Sequence, residues 1–407
     1  MSHVVKMFRP KEMIFLGLLL ILAVIGIVAW IYQLMQGLIV TNMRNIFPWG
    51  LYIATFAFLV GTAAGGLIVS SSIYLFNVRE LKPIAPLASL TAFVFVLGAM
   101  AMVIPDLGRP ERILNILLYP NFSSLLVWDF IVLTAYAILS LAHVYIGWRP
   151  YAARLRGLSE DKIAELETKS FRWGRILAPI SLPFAVLIHT VTAWIFAVNA
   201  GRPWWFGGFL APSFLAAALV SGSAVVILAS IAIYGFKEDL RHTYNIMMKF
   251  LATSVAVLLF LVYQDYFVRW WWGGDEGQIL SILFNRLWLT TLIGEFALLF
   301  TTIIIAIKLK TSLGAVLSAV LALLGVYAHR FNLMEPSYNV LINKILLPSS
   351  ETTIPVPIVL GDMKHSYWLL TFWPYTPSPI EIMITIGWLS GIMLILYVLA
   401  KLLFSRR

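Results

Sequence analysis

The chain predicts an all-α integral membrane protein with ten transmembrane helices, arranged as two parallel-repeat four-helix bundles plus two peripheral helices. Three observations lead there. Of the 407 residues, 61% are hydrophobic and 12% charged, whereas a soluble domain carries about a quarter charged residues. Apolar runs of about 20 residues recur along the chain, the length of a spanning helix and not the short alternating pattern of a barrel strand. Finally, "AFLVGTAAGGLIVSSSIYLF" (57–76) superposes on "AALVSGSAVVILASIAIYGF" (217–236) after a shift of 160 positions, with Ala57, Leu59, Val60, Ala64, Ser70, Ile73, Tyr74 and Phe76 all recurring.

The spans read in order as 13–35, 50–76, 84–104, 124–148, 175–199, 211–236, 246–268, 287–308, 311–329 and 379–403. The first begins behind Lys6, Arg9 and Lys11 and is long and uninterrupted, so it reads as a retained helix and not a cleaved signal peptide. The repeat couples spans two to five with spans six to nine. Both copies run in the same direction, which relates them by an axis along the membrane normal. The resulting divisions are a peripheral helix in 1–45, a first four-helix bundle in 46–200, a second in 201–330, an external loop in 331–378 and a last helix in 379–407. In the first copy Gly61 and Gly65, with Gly66 beside them, make a small-residue face that lets another helix backbone approach closely. Between spans four and five, 151–174 carries charges of both signs and reads as a solvated connector, with Ser159-Glu160-Asp161 marking a helix start.

Assigning the gaps alternately to two sides puts 20 of the 29 Lys+Arg on the side of both termini, including seven between Arg149 and Arg175. By the positive-inside rule that side is cytoplasmic, which places a multi-pass protein in the cytoplasmic (inner) membrane with both termini inside. The same rule explains the formal charge of +10 without nucleic acid. The external face then carries "DLGRPER", "GRPWW", "VRWWWGGDEG" and the long Pro-, Tyr- and Trp-rich loop, which reads as a docking surface. Asp106, Arg109 and Arg112 of the first turn are candidates for partner docking, or pair at the interface. With no cysteine, the chain has no thiolate-ligated iron–sulfur cluster, CxxCH haem attachment or disulfide. Any such redox centre belongs to a partner.

A charged group near the bilayer centre costs about 2.5–3.5 kcal/mol on insertion scales, so ionisable residues there face a cavity or a partner. Asp129, His143, His189, Asp265, Glu295 and Glu381 are the candidates. His189, Asp129 and Glu295 fall toward the external ends of their spans, whereas His143 lies near the cytoplasmic end, where it can snorkel. Asp265 and Arg269 stand one helical turn apart and are placed to pair. A neutral imidazole both donates and accepts, and it takes up a proton at ordinary pH, which suits His189 to a quinol that releases two protons with two electrons.

At "FPWGLYIATFAFLVGTAAGG", "VIPDLGRPERILN", "SSLLVWDF" and "HTVTAWIFAVNAGRPWW" the chain resembles the NrfD family of quinone-reactive membrane subunits, over roughly 45–330. Ten helices point to its HybB/DsrP-like branch, and the DLGRPER and GRPWW turns look most like DsrP of the DsrMKJOP complex. The resemblance implies a quinone pocket in the external half of the first bundle. His189 and Asp129 would face the headgroup there, with Trp49 and Tyr52 near the mouth. It implies a proton path through Glu295, to which Asp265 is added as a candidate. It also implies menaquinol or menaquinone as substrate, an external ferredoxin-like iron–sulfur subunit, and other membrane and cytochrome subunits as partners. In eight-helix relatives the first core helix supplies a histidine, which is missing here. Three other readings compete: a b-type haem protein, for which His143, His189 and His329 are poorly matched in depth; a transporter or proton pump; and an inert anchor.

Overall fold

The computed structural model describes residues 8–44, 47–199, 202–339, 344–346, 353–355 and 375–404. Ten helices are long and apolar enough to cross a membrane. They are α1 (Pro10–Gln36), α2 (Leu51–Leu75), α3 (Ala85–Met102), α4 (Leu125–Leu155), α5 (Glu160–Ala197), α6 (Leu210–Tyr234), α7 (Glu238–Trp272), α8 (Leu289–Lys308), α9 (Ser312–Asn339) and α10 (Pro379–Phe404). The chain is an all-α, multi-pass integral membrane protein; two three-residue strands, Lys344–Leu346 and Thr353–Pro355, pair antiparallel beyond α9. The local reasons are visible in the sequence. Pro10 opens α1, where its missing N–H costs nothing. Ser159 precedes α5, whose first turn holds Glu160 and Asp161 against the positive helix end.

α2, α3, α4 and α5 pack on one another as one bundle, and α6, α7, α8 and α9 as a second. The two meet where α2 crosses α6. Gly61 lies against its own repeat equivalent: a Cβ there would sit 3.4 Å from Ser221 Oγ. One turn on, Gly65 faces Gly222, and a Cβ would reach 3.0 Å from the Ala218 carbonyl oxygen. Gly66 looks the other way, onto the Ala88 backbone of α3. The small-residue face therefore joins helix to helix. α2 is consequently buried along almost its whole length, a core helix walled off from lipid. α1 and α10 pair outside the bundles through Gly26 and Gly387 and touch α3 through α10.

Three features differ from the sequence expectation. The span expected to stop at residue 329 continues as α9 to Asn339. Its last turns look polar, but Asn332, Glu335 and Ser337 are buried and find partners inside the molecule. The expected connector 151–174 is mostly helix, because α4 and α5 simply extend past the apolar region and turn tightly between Leu155 and Glu160. His143 does not snorkel: it is buried, with Nε2 3.0 Å from Ser181 Oγ on α5. Most of the expected docking loop, and residues 1–7, lie outside the described residues.

Candidate functional site

Loops 37–50, 103–124, 198–209 and 273–288 leave the same end of the molecule, here called the loop-rich face; the opposite end is the basic face. His189 lies eight residues before the end of α5 at Ala197, about 12 Å from the loop-rich face. Helical spacing puts Thr192 and Phe196 on the same side of α5. Thr192 Oγ1 lies 2.6 Å from Asp129 Oδ1 on α4 and also 2.6 Å from its own i−4 carbonyl, Ile188 O. One hydroxyl carries one proton, which these two acceptors share in a three-centre arrangement. Thr192 thus contacts Asp129 and stands one helical turn from His189 along α5. His189 is 1% exposed and its Nε2 has no hydrogen-bond partner. A buried polar atom left so costs about 1–3 kcal/mol.

The wall toward the loop-rich face is aromatic. Trp49 stacks on Trp205 at 5.6 Å and meets Phe196 edge-on at 5.6 Å. Tyr52 is fully buried on the other side of α2, where its hydroxyl donates to Gln33 Oε1 at 2.6 Å, and Gln33 in turn donates to Pro105 O at 2.7 Å. The structure therefore gathers Trp49 with the α5 cluster but directs Tyr52 toward α1. Trp204 and Trp205 donate to the Asn332 and Leu333 carbonyls of α9, at 3.1 and 2.8 Å, so the turn after α5 is tied to the second bundle. Arg202 of that turn lies over the Tyr338 ring at 4.7 Å, and burial draws its guanidinium pKa below the usual value.

Glu295 is fully buried on α8, in a π-helical stretch, Leu289–Ala297. Such wide turns recur at functional sites. Its carboxyl meets His329 Nδ1 at 2.7 Å, accepts from Asn332 Nδ2 at 2.8 Å and from the Tyr266 hydroxyl at 3.3 Å. Asp265 pairs with Arg269 at 3.0 Å, and Arg269 also contacts Glu276. A crevice of about 30 Å³, enough for one water, is lined by Asp265, Arg269, Tyr266, His329 and Asn332. Asp265 thus lines this small space directly, and Glu295 reaches it through its partners His329 and Asn332.

Between these two centres lies Arg330, which the span boundary at residue 329 hid from sequence reasoning. It is 1% exposed, its Cζ stands 3.7 Å from the Phe214 ring centroid, and only Nη2 has an acceptor, Phe214 O at 3.2 Å. It follows His329, the partner of Glu295, and the Phe214 ring beneath it lies 5.9 Å from Phe196 on the His189 side of α5. The signal for this cluster was the run His329, Arg330, Asn332 and Glu335, polar at nearly helical spacing. Glu335 is fully buried and forms an ion pair with Arg286. Of the docking candidates, Arg109 and Arg112 are exposed, whereas Asp106 turns an unpartnered Oδ1 inward.

Two repeats of four spanning helices, with a buried His–Thr–Asp group in one and a Glu–His–Asn group in the other, define a membrane protein built to keep ionisable groups inside the bilayer. By sequence the chain belongs to the NrfD family: the profile described as "Polysulphide reductase, NrfD" matches residues 39–342. It is 39% identical over 256 residues to a putative dimethyl sulfoxide reductase membrane subunit of Halobacterium salinarum, covering 60% of this chain and 58% of that one. It is 25% identical over 345 residues to a selenate reductase subunit of Mesobacillus selenatarsenatis, with 78% and 80% covered. The Hdr-like menaquinol oxidoreductase integral membrane subunit of Archaeoglobus fulgidus is 23% identical over 225 residues, 54% and 52% of the two chains.

Proposed function

We propose that the chain is the quinone-reactive membrane subunit of a multi-subunit respiratory oxidoreductase. Electrons pass between menaquinol or menaquinone and an iron–sulfur subunit seated on the loop-rich face, which is the outer face. Residues 46–200 form the quinone-reactive bundle and 201–330 the proton-handling one. The observation that carries this reading is the unpartnered, buried His189 Nε2 one turn from the Thr192–Asp129 contact. A quinone oxygen supplies the missing hydrogen-bond partner. As quinol is oxidised, two electrons leave toward the partner and two protons leave the oxygens; His189 accepts one, and the Asp129 carboxylate accepts the other by way of Thr192. Asp265 lines the small space through which protons would move in the second bundle, and Glu295 joins it through His329 and Asn332. Support comes from the A. fulgidus relative, whose name is that of a menaquinol oxidoreductase subunit.

The DLGRPER and GRPWW turns favour the DsrP-like branch and sulfur metabolism. The 39% identity to a dimethyl sulfoxide reductase membrane subunit favours a second reading, in which the same quinone chemistry serves a different terminal substrate. The test common to both is His189→Ala in the assembled complex. A positioned acid–base group contributes about 10²–10⁴-fold, so menaquinol oxidation is expected to fall by at least about 100-fold with assembly intact. Unchanged turnover would falsify the assignment.

A further inference from the structure

A cavity of about 450 Å³, in the size range of small-molecule sites (about 300–1,000 Å³), opens at the basic face of the first bundle, far from His189. It runs beside α4 from Arg154 down to His143, eleven residues or about 16 Å along the helix. The quinone chemistry proposed above makes no use of it.

The rim is basic. Arg79 and Lys82, from the turn between α2 and α3, and Arg154, at the end of α4, all line the cavity; among the described residues the one carboxylate lining it is Glu167. Glu167 takes Lys82 at 3.2 Å and also contacts Arg154. Arg79 donates through Nε to Asn77 Oδ1 at 3.0 Å, and among the described residues no carboxylate pairs with it. Asn77 itself sits in the left-handed backbone region at φ 54°. Among the described residues, three cations around one anion leave the rim net positive.

Deeper in, the wall changes from charge to neutral polar groups. Ser170 is 7% exposed and its Oγ is buried without a partner. His143 is engaged on one side by Ser181, and Ser89 donates to Ser70 at 2.8 Å. A site with a cationic mouth, an unused guanidinium edge and a hydroxyl-lined interior matches an anion that carries hydroxyls of its own. Guanidinium binds phosphate in a fork geometry, and basic pockets between spanning helices take phospholipid headgroups.

We propose that this cavity binds a phosphate-bearing anion, held at Arg79, Lys82 and Arg154, with its hydroxylated end directed toward Ser170 and His143. A glycerophospholipid headgroup and a soluble phosphate ester share that chemistry, and the experiment separates them. The full chain, purified with the subunits that accompany it, is passed through nanodiscs of phosphatidylglycerol or of phosphatidylcholine and released for native mass spectrometry. In parallel, binding of radiolabelled glycerol 3-phosphate is measured in detergent. Both are repeated with the exposed-rim variant Arg79→Gln/Lys82→Gln, whose melting temperature is checked.

Retention of one phosphatidylglycerol per chain, absent with phosphatidylcholine and at least tenfold weaker in the variant, assigns the site to a lipid headgroup. Binding of glycerol 3-phosphate that the variant loses, with no retained lipid, assigns it to a soluble ester. If wild type and variant hold lipid and ester equally, or neither holds any, the proposal is overturned. Neither readout depends on quinol turnover, so failure here leaves the His189 assignment standing, and the reverse.

Discussion

Thr192 shows how much a single hydroxyl can carry. It is the only side chain hydrogen-bonded to Asp129 among the described residues, and it stands one turn from His189. Replacing it by valine keeps the shape and removes the contact; a hydrogen bond to a charged group is worth about 1.5–3 kcal/mol. Thr192→Val is therefore expected to slow menaquinol oxidation by about tenfold or more, with normal assembly, in steady-state assays of the complex. Arg269 is the opposite kind of residue. It ties Asp265, Glu276 and the Pro203 carbonyl, the last at 3.0 Å, and it covers the Trp204 ring. Arg269→Leu strands two carboxylates near a buried position, and removing one partner of such a pair costs about 3–5 kcal/mol; the carboxylates' partial exposure puts the expected loss near the lower end, about 3 kcal/mol. A clear fall in melting temperature in detergent is the expected outcome, and an unchanged value would show the network to be incidental.

At the scale of elements, the α2–α6 crossing decides whether two bundles become one protein. Gly65 meets Gly222 backbone to backbone, so any side chain there pushes the helices apart. Overpacking a tight contact costs about 1–3 kcal/mol even for small additions. Gly65→Leu is expected to exceed that and to abolish assembly, seen as loss of the monodisperse peak in size-exclusion chromatography. Gly26→Leu, at the α1–α10 contact, makes an instructive control. It should loosen only the peripheral pair and leave quinol turnover within about twofold, since α1 contributes nothing to the His189–Asp129 group. The α9 helix carries the other lesson at this scale. A bilayer-length window ends its apolar run at residue 329, yet ten more residues stay helical because His329, Asn332 and Glu335 find Glu295 and Arg286. Hydropathy counts those residues as polar; it cannot know that their partners lie on α8 and in the turn before it.

For the whole molecule, orientation is the property to test. The basic face holds most of the Lys and Arg, including Arg79, Lys82 and Arg154 around the large cavity. Fusions of a cytoplasm-active fluorescent reporter to the C-terminus are expected to light up, and fusions of a periplasm-active phosphatase to stay silent; the reverse pattern would turn the loop-rich face, proposed above to dock the partner subunit, inward. Ten spans, their repeat and their charge bias were all legible in the linear order of residues, because the bilayer selects for them locally: each segment must be long and apolar enough on its own, whatever its neighbours are. His189, Asp129 and Glu295 could be picked out for the same reason, since a charge inside an apolar run is conspicuous. Which buried groups meet depends instead on how each helix is rotated about its axis and on contacts tens or hundreds of residues apart. Only the folded chain joins Thr192 to Asp129, sets Arg330 between His189 and Glu295, sends Tyr52 to Gln33, and hollows a basic-rimmed cavity around a histidine that hydropathy alone would leave at the water's edge.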